Sequence, residues 1–115
     1  MLHVWFKPNC STCRTTLALI KENTKEKIEL FEYLVESPTQ KQIKEILKML
    51  GMKASDLVRK KESLYKEKYE GKKLTQAQWI SVLAKNPVLI ERPIIVKDGK
   101  AVIGRPPEKI LQLLH

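Results

Sequence analysis

Asn9-Cys10-Ser11-Thr12-Cys13-Arg14 follows the apolar run Leu2-His3-Val4-Trp5-Phe6 and opens a helical pattern that carries Leu17 and Ile20. Two thiols therefore stand three residues apart, where a strand hands over to a helix. The first turn of a helix leaves backbone N–H groups without intrahelical partners, and the helix dipole adds to their positive field. A thiolate is favoured there, and cysteine pKa values at such positions fall from about 8.5 into the range of roughly 3.5–7.5. The spacing puts Cys10 at or just before the helix start and Cys13 about one turn in, on the same face. It predicts a reactive Cys10, with Cys13 placed to attack it once it has been modified. Ser11 and Thr12 offer hydroxyls and backbone N–H groups around the same point, as candidate substrate-binding residues.

Two other readings of the pair stay open at this stage. A zinc half-site needs two further ligands. The chain has no third cysteine, and its two histidines, His3 and His115, stand at its ends, so no metal site is expected. An inert pair of buried cysteines is the other reading, since a free cysteine often behaves as a small core hydrophobe. The strand-to-helix placement favours redox chemistry.

The length of 115 residues suits one domain with a single packed core. The formal net charge of +9 attracts acidic partners, nucleic acid or oxyanions. Lysines and arginines are interleaved with glutamates, as in Lys66-Glu67-Lys68, which reads as solvated helix faces, so no direct nucleic-acid contact is expected. No stretch approaches the roughly 20 apolar residues of a membrane helix, and Leu2 to Phe6 is too short for a secretion signal. Two cysteines without such a signal suit a reducing, cytoplasmic setting.

The first helix is expected from about Ser11 to Glu22, and Lys27 to Tyr33 reads as a second strand, parallel to the first. A helical block follows. Ser37-Pro38-Thr39-Gln40 reads as a capping box with Pro38 in the first helical position, and Ile43, Ile46, Leu47 and Leu50 repeat at i, i+3, i+4, i+7 before Gly51. Ala54 to Lys60 and Leu64 to Tyr69 read as shorter helical pieces. Thr75-Gln76-Ala77-Gln78 is a second capping box, leading into Trp79, Ile80 and Leu83, with Trp79 read as core and a stop at Asn86-Pro87. Pro87 to Glu91 reads as a connector. Asp98-Gly99 between Ile94-Ile95-Val96 and Ala101-Val102-Ile103 is a strong hairpin signal. A last helix should place Ile110, Leu111 and Leu114 on its apolar side. The order strand, helix, strand, helices, strand, strand, helix resembles a thioredoxin-like α/β arrangement: a mixed sheet in a single domain, 1–115, with an all-helical insertion over 37–86.

Three arginines stand where a helical-surface rationale is weak: Arg59 after Leu57-Val58, Arg92 before Pro93, and Arg105 between Gly104 and Pro106. A guanidinium pairs bidentately with oxyanions, and loops carrying these residues over Cys10 would build a cationic pocket above a thiolate. A surface arginine or a weak ion pair is the plain alternative for each. The Arg92–Pro93 bond can be cis or trans.

At these residues the chain resembles the glutaredoxin-linked arsenate reductase (ArsC) family, within a thioredoxin-like group that includes the Spx-type transcription regulators. Asn9-Cys10-Ser11-Thr12-Cys13-Arg14 with Thr16-Leu17, Leu57-Val58-Arg59-Lys60, Asn86 to Val96, and Gly104-Arg105-Pro106 carry the resemblance in that order. It implies Cys10 as the nucleophile toward arsenate and Arg59, Arg92 and Arg105 as the arginines that hold the oxyanion, with Pro93 facing the cysteine. It implies no bound metal or organic cofactor, and glutathione with glutaredoxin as reductant. The Cys-X-X-Cys pair resembles the regulators and would let Cys13 resolve a Cys10 adduct as an internal disulfide, which favours a thioredoxin-type reductant. Two further readings are a general thiol-disulfide oxidoreductase without arsenate activity, and a redox switch that binds RNA polymerase. The ending at Leu113-Leu114-His115 is shorter than the regulators usually have.

Overall fold

Residues 1–114 are described by a computed structural model. The chain forms two compact units, one from Met1–Glu36 together with the segment from Arg92 onward, the other from Ser37–Glu91. The expected insertion, 37–86, falls inside the second.

All four strands belong to the first unit. They are β1 (Leu2–Trp5), β2 (Ile28–Phe31), β3 (Ile94–Lys97) and β4 (Lys100–Ile103), in the spatial order β2-β1-β3-β4. Helix α1 (Ser11–Asn23) connects β1 to β2, which pair in parallel with Val4 opposite Leu30. β3 runs antiparallel to β1, with Ile95 opposite Val4, and β4 antiparallel to β3. At the β3–β4 turn Asp98 and Gly99 both have positive φ, 49° and 77°, as a tight primed turn between twisted strands requires. Alternation along the strands sends Leu2, Val4 and Ile95 to one face, where they pack with Ile20 of α1 and with Ile110. The result is the mixed α/β sheet of a thioredoxin-like fold.

Several boundaries differ from expectation, each for a local reason. β2 ends at Phe31, because Tyr33 N–H turns back onto the Phe31 carbonyl at 3.0 Å. Tyr33 therefore leaves the strand and is fully buried. The final segment is a 3₁₀ turn, Pro107–Lys109, and a short helix; Leu113 and Leu114, rather than Leu111, join Ile110 against the core.

The second unit holds α2 (Gln40–Leu50), α3 (Ala54–Leu57), α4 (Ser63–Lys68) and α5 (Gln76–Lys85); the short helix Ile110–Leu114 of the first unit is α6. The cap of α2 is Thr39, not Ser37, and Pro38 precedes the helix. Thr39 Oγ1 accepts from Gln42 N–H at 3.1 Å and Gln42 Oε1 accepts from Thr39 N–H at 2.8 Å, a reciprocal pair two residues further on than expected. Gly51 ends α2 at φ 68°, the left-handed cap position that glycine fills without steric cost. Thr75 and Gln78 form the second box as the sequence predicts. α3 stops at Leu57 because Val58 is extended and bridges Ile90. Trp79 is buried core, flanked by Tyr65 and Tyr69 at 6.5 and 6.0 Å between ring centroids.

Ile95 is fully buried at the centre of the first unit's core. Ile95→Ala is expected to cost about 2–5 kcal/mol in urea unfolding, whereas Val35→Ala, at a side chain 76% exposed, should change stability by no more than about 0.5 kcal/mol.

Candidate active site

The site is built from the end of β1 and three segments that close over it. Cys10 is the N-cap of α1, with φ −97° and ψ 118°, and its own N–H turns back to the Lys7 carbonyl at 3.1 Å. An N-cap side chain points back at the helix's free N–H groups. Cys10 Sγ accepts from Cys13 N–H at 3.4 Å, so a sulfur takes the place usually held by a capping oxygen. Cys10 is 8% exposed and Cys13 is fully buried. In the same first turn Ser11 is exposed and Thr12 half-buried.

Arg92 and Arg105 meet this thiol from the other side of the chain. Arg105 Nη2 donates to Cys10 Sγ at 3.6 Å, and Arg105 Nε donates to the Arg92 carbonyl at 2.6 Å. One arginine thus touches the sulfur and fixes the backbone of the other. Arg92 is 6% exposed, and its Nε and Nη1 are buried without a hydrogen-bond partner. Burial lowers the pKa of Arg92, but its interactions with Tyr33 and with Cys10 outweigh that and raise it, so it stays a cation.

A tight backbone junction holds these loops in place. The Arg92–Pro93 peptide is cis, and so is Arg105–Pro106, a bond that nothing in the local sequence singles out. Gly104 N–H donates to the Pro93 carbonyl at 2.9 Å, and Thr16 Oγ1 of α1 donates to the Gly104 carbonyl at 3.4 Å. A Cβ on Gly104 would lie 3.0 Å from Thr16 Cγ2 and 3.1 Å from Pro93 Cγ. A side chain at position 104 would press on Thr16 and Pro93 and force them apart by a few tenths of an ångström, so glycine suits this close approach of α1, the Pro93 segment and the Arg105 segment.

The two thiols are driven in opposite directions. Burial pushes the Cys10 pKa up, but the Cys13 N–H, the Cys13 side chain and the Arg92 charge outweigh it, leaving the value at about 7. Burial pushes the Cys13 thiol up, and the neighbouring Cys10 adds to this, to about 11. Near neutral pH Cys10 is therefore about half ionised while Cys13 stays protonated, so the negative charge of the pair resides on Cys10 and grows as pH rises.

Arg59 stands in the second unit. Its Nε donates to Glu62 Oε1 at 3.1 Å, and its Nη1 lies 3.7 Å from Glu91 Oε1. Of the three arginines, the first unit brings Arg92 and Arg105 to Cys10. Thr16, Tyr33 and Gly104 were not singled out as site residues in the sequence. Tyr33 is stacked on Trp5 of β1 at 6.2 Å, and no local pattern announces its interaction with Arg92, far along the chain. Among the described residues, no three His, Cys, Asp or Glu side chains converge as metal ligands would; His115 lies outside them.

The thiolate is the nucleophile, so alkylation of Cys10 by iodoacetamide should rise as pH increases, with a midpoint near the pKa of about 7, and level off above it. Arg92→Met removes a charge that favours the thiolate, so the midpoint should move to higher pH. Cys13 should remain unalkylated in native protein throughout the neutral range, as mass mapping of the modified peptide would show.

Comparison with known proteins gives this geometry its context. The chain is 42% identical to the YfgD protein of Escherichia coli K12 over 113 residues, covering 96% of this chain and 94% of that one. It is 36% identical to the arsenate reductase of Haemophilus influenzae, covering 96% and 97%. The solved structure of an arsenate reductase from Vibrio cholerae superposes with a TM-score of 0.90 at 38% identity, covering 96% of this chain and 95% of that one. The ArsC family profile matches residues 5–113, from β1 through the cysteine turn and both arginine segments to α6. With nearly its whole length matched, and the same fold in its structural neighbours, the chain belongs to the ArsC family.

Proposed function

We infer that the protein is an arsenate reductase-type thiol oxidoreductase in which Cys10 is the catalytic nucleophile. The observation that carries this reading is the pairing of a low-pKa thiol with a buried arginine whose Nε and Nη1 have no partner. An unsatisfied buried donor costs about 1–3 kcal/mol, and a tetrahedral oxyanion held over Cys10 would satisfy such donors with charge-assisted bonds. The substrate class comes from the arsenate reductases among its relatives.

In the first step the Cys10 thiolate attacks arsenic(V) and an oxygen leaves as water, giving a sulfur–arsenic bond. Arg92 and Arg105 balance the charge on the bound oxyanion and on the adduct. Arg59 enters as a third anion-binding arginine on the family resemblance, as do Ser11 and Thr12 through the first turn of α1. In the second step a thiolate attacks Cys10 Sγ. The sulfur–arsenic bond breaks with its electron pair on arsenic, which leaves as arsenite, and the two sulfurs become a disulfide.

The second thiol can be Cys13 or an external one such as glutathione. Cys13 is raised by burial and, in addition, by the Cys10 thiolate beside it. Once Cys10 is bonded to arsenic that second contribution disappears, so Cys13 becomes easier to ionise after the first step. This ordering supports Cys13 as the resolving thiol. A dithiol reductant of the thioredoxin or glutaredoxin class would then return the pair to its reduced state.

Arsenate-dependent NADPH oxidation, measured with the thioredoxin and the glutathione/glutaredoxin systems in parallel, tests the assignment. Turnover should require Cys10 and vanish in Cys10→Ser. Arg92→Ala should lower kcat/KM by about 10²–10³-fold, the usual loss when one preorganised anion-stabilising group is removed. Cys13→Ser should keep arsenate-dependent modification of Cys10 but lose turnover with thioredoxin. Absence of turnover in wild-type protein with both systems would overturn the arsenate assignment.

A further inference from the structure

The second unit carries a groove that the chemistry at Cys10 does not use. It has a volume of about 890 Å³ and is formed by the C-terminal half of α2, the α2–α3 turn, α3 and the start of α5. Leu47 and Ile80 make its floor, with Met52 and Ala77 beside them. Lys44, Lys48 and Lys53 line the same groove, and Asp56 is its only carboxylate. That exposed carboxylate caps its own helix, where Asp56 Oδ2 accepts from Lys53 N–H at 3.4 Å. Among the described residues no ion pair engages the three lysines.

The surroundings strengthen the positive sign. Residues 37–91 hold twelve Lys and Arg against six Asp and Glu, so this unit carries +6 of the chain's +9. At the carbonyl end of α2 the Leu47 carbonyl is already engaged, accepting from Gly51 N–H and Met52 N–H at 2.9 and 3.3 Å. The opposite wall is the N-terminal, positive end of α5, at Gln76 and Ala77. An apolar floor with a flexible methionine at its side suits a docked side chain, and a lysine rim without internal counter-ions selects an acidic occupant.

We propose that this groove docks an acidic, amphipathic helical segment of a partner protein, with apolar side chains seated on Leu47 and Ile80 and carboxylates against Lys44, Lys48 and Lys53. Helices enter grooves of this kind through apolar residues at i, i+3, i+4 and i+7. The groove shares no residue with the cluster of Cys10, Arg92 and Arg105, and the proposal holds whichever substrate Cys10 takes.

The test is a ¹⁵N–¹H titration of the full chain with a synthetic helical peptide that carries Leu at i, i+3, i+4 and i+7 and Glu on its polar face. Shift changes should centre on Leu47, Met52, Ala77 and Ile80. Affinity should fall by at least about tenfold in the Lys44→Glu/Lys48→Glu variant, whose spectrum and basal iodoacetamide profile should match wild type because these side chains are exposed. A peptide with Ser in place of Leu should bind weakly, as should one with Lys in place of Glu. The proposal is overturned if the Glu peptide leaves those four residues unshifted, if the Lys peptide binds equally well, or if shifts spread over the lysines of 60–73 as for any polyanion. Equal binding of anionic phosphatidylglycerol vesicles at the same residues would assign the groove to lipid and overturn it too.

Discussion

A guanidinium taken out of water must be balanced by negative charge nearby, and Arg92 is almost wholly buried. The groups against it are the Cys10 sulfur and the Tyr33 side chain. Each makes the other's charge affordable: the cation favours the thiolate, and the thiolate favours the cation. Arg105 is held in the same arrangement by its bonds to the Arg92 carbonyl and to Cys10 Sγ. Removing the charge on either partner weakens the balance for the other, so the two titrate as coupled groups rather than as independent residues.

This balance exists because the backbone brings three distant segments within contact distance. Gly104 lies so close to Thr16 and Pro93 that a side chain on it would crowd both. Thr16 is a buried polar residue on α1, and its hydroxyl reaches the Gly104 carbonyl. The start of α1 therefore positions the thiol, and the fourth residue after Cys13's neighbour Thr12 locks the loop that supplies Arg105. The sheet supplies the rest: β1 delivers Cys10, and β3 and β4 deliver the two arginines from neighbouring positions.

Cys13 has a different physical role from Cys10 although both are cysteines on one helical turn. Its backbone N–H stabilises the Cys10 sulfur, while its own thiol is kept neutral by burial and by the adjacent charge. The asymmetry arises from the helix cap together with the nearby Arg92 charge on one side and deep burial on the other. The N-cap receives the helix's free donors, and the residue one turn in does not.

The sequence by itself determined what depends on neighbours along the chain. The Cys10 N-cap, the Thr75–Gln78 box, the Asp98-Gly99 turn and the stop at Gly51 are settled within four residues or fewer, by hydrogen bonds and φ preferences that a short segment carries with it. The order of strands and helices was readable for the same reason, since periodicity is local. Tertiary structure decided the rest. The choice of Thr39 over Ser37 as a cap, the bridge from Val58 to Ile90 that ends α3, and the burial of Tyr33 depend on what each segment meets in space. So does the site: Arg92 and Arg105 are far from Cys10 along the chain, and only the folding of the first unit brings them to it. Charge and burial are properties of a place in the folded molecule, and a residue acquires them only when distant parts of the chain come together around it.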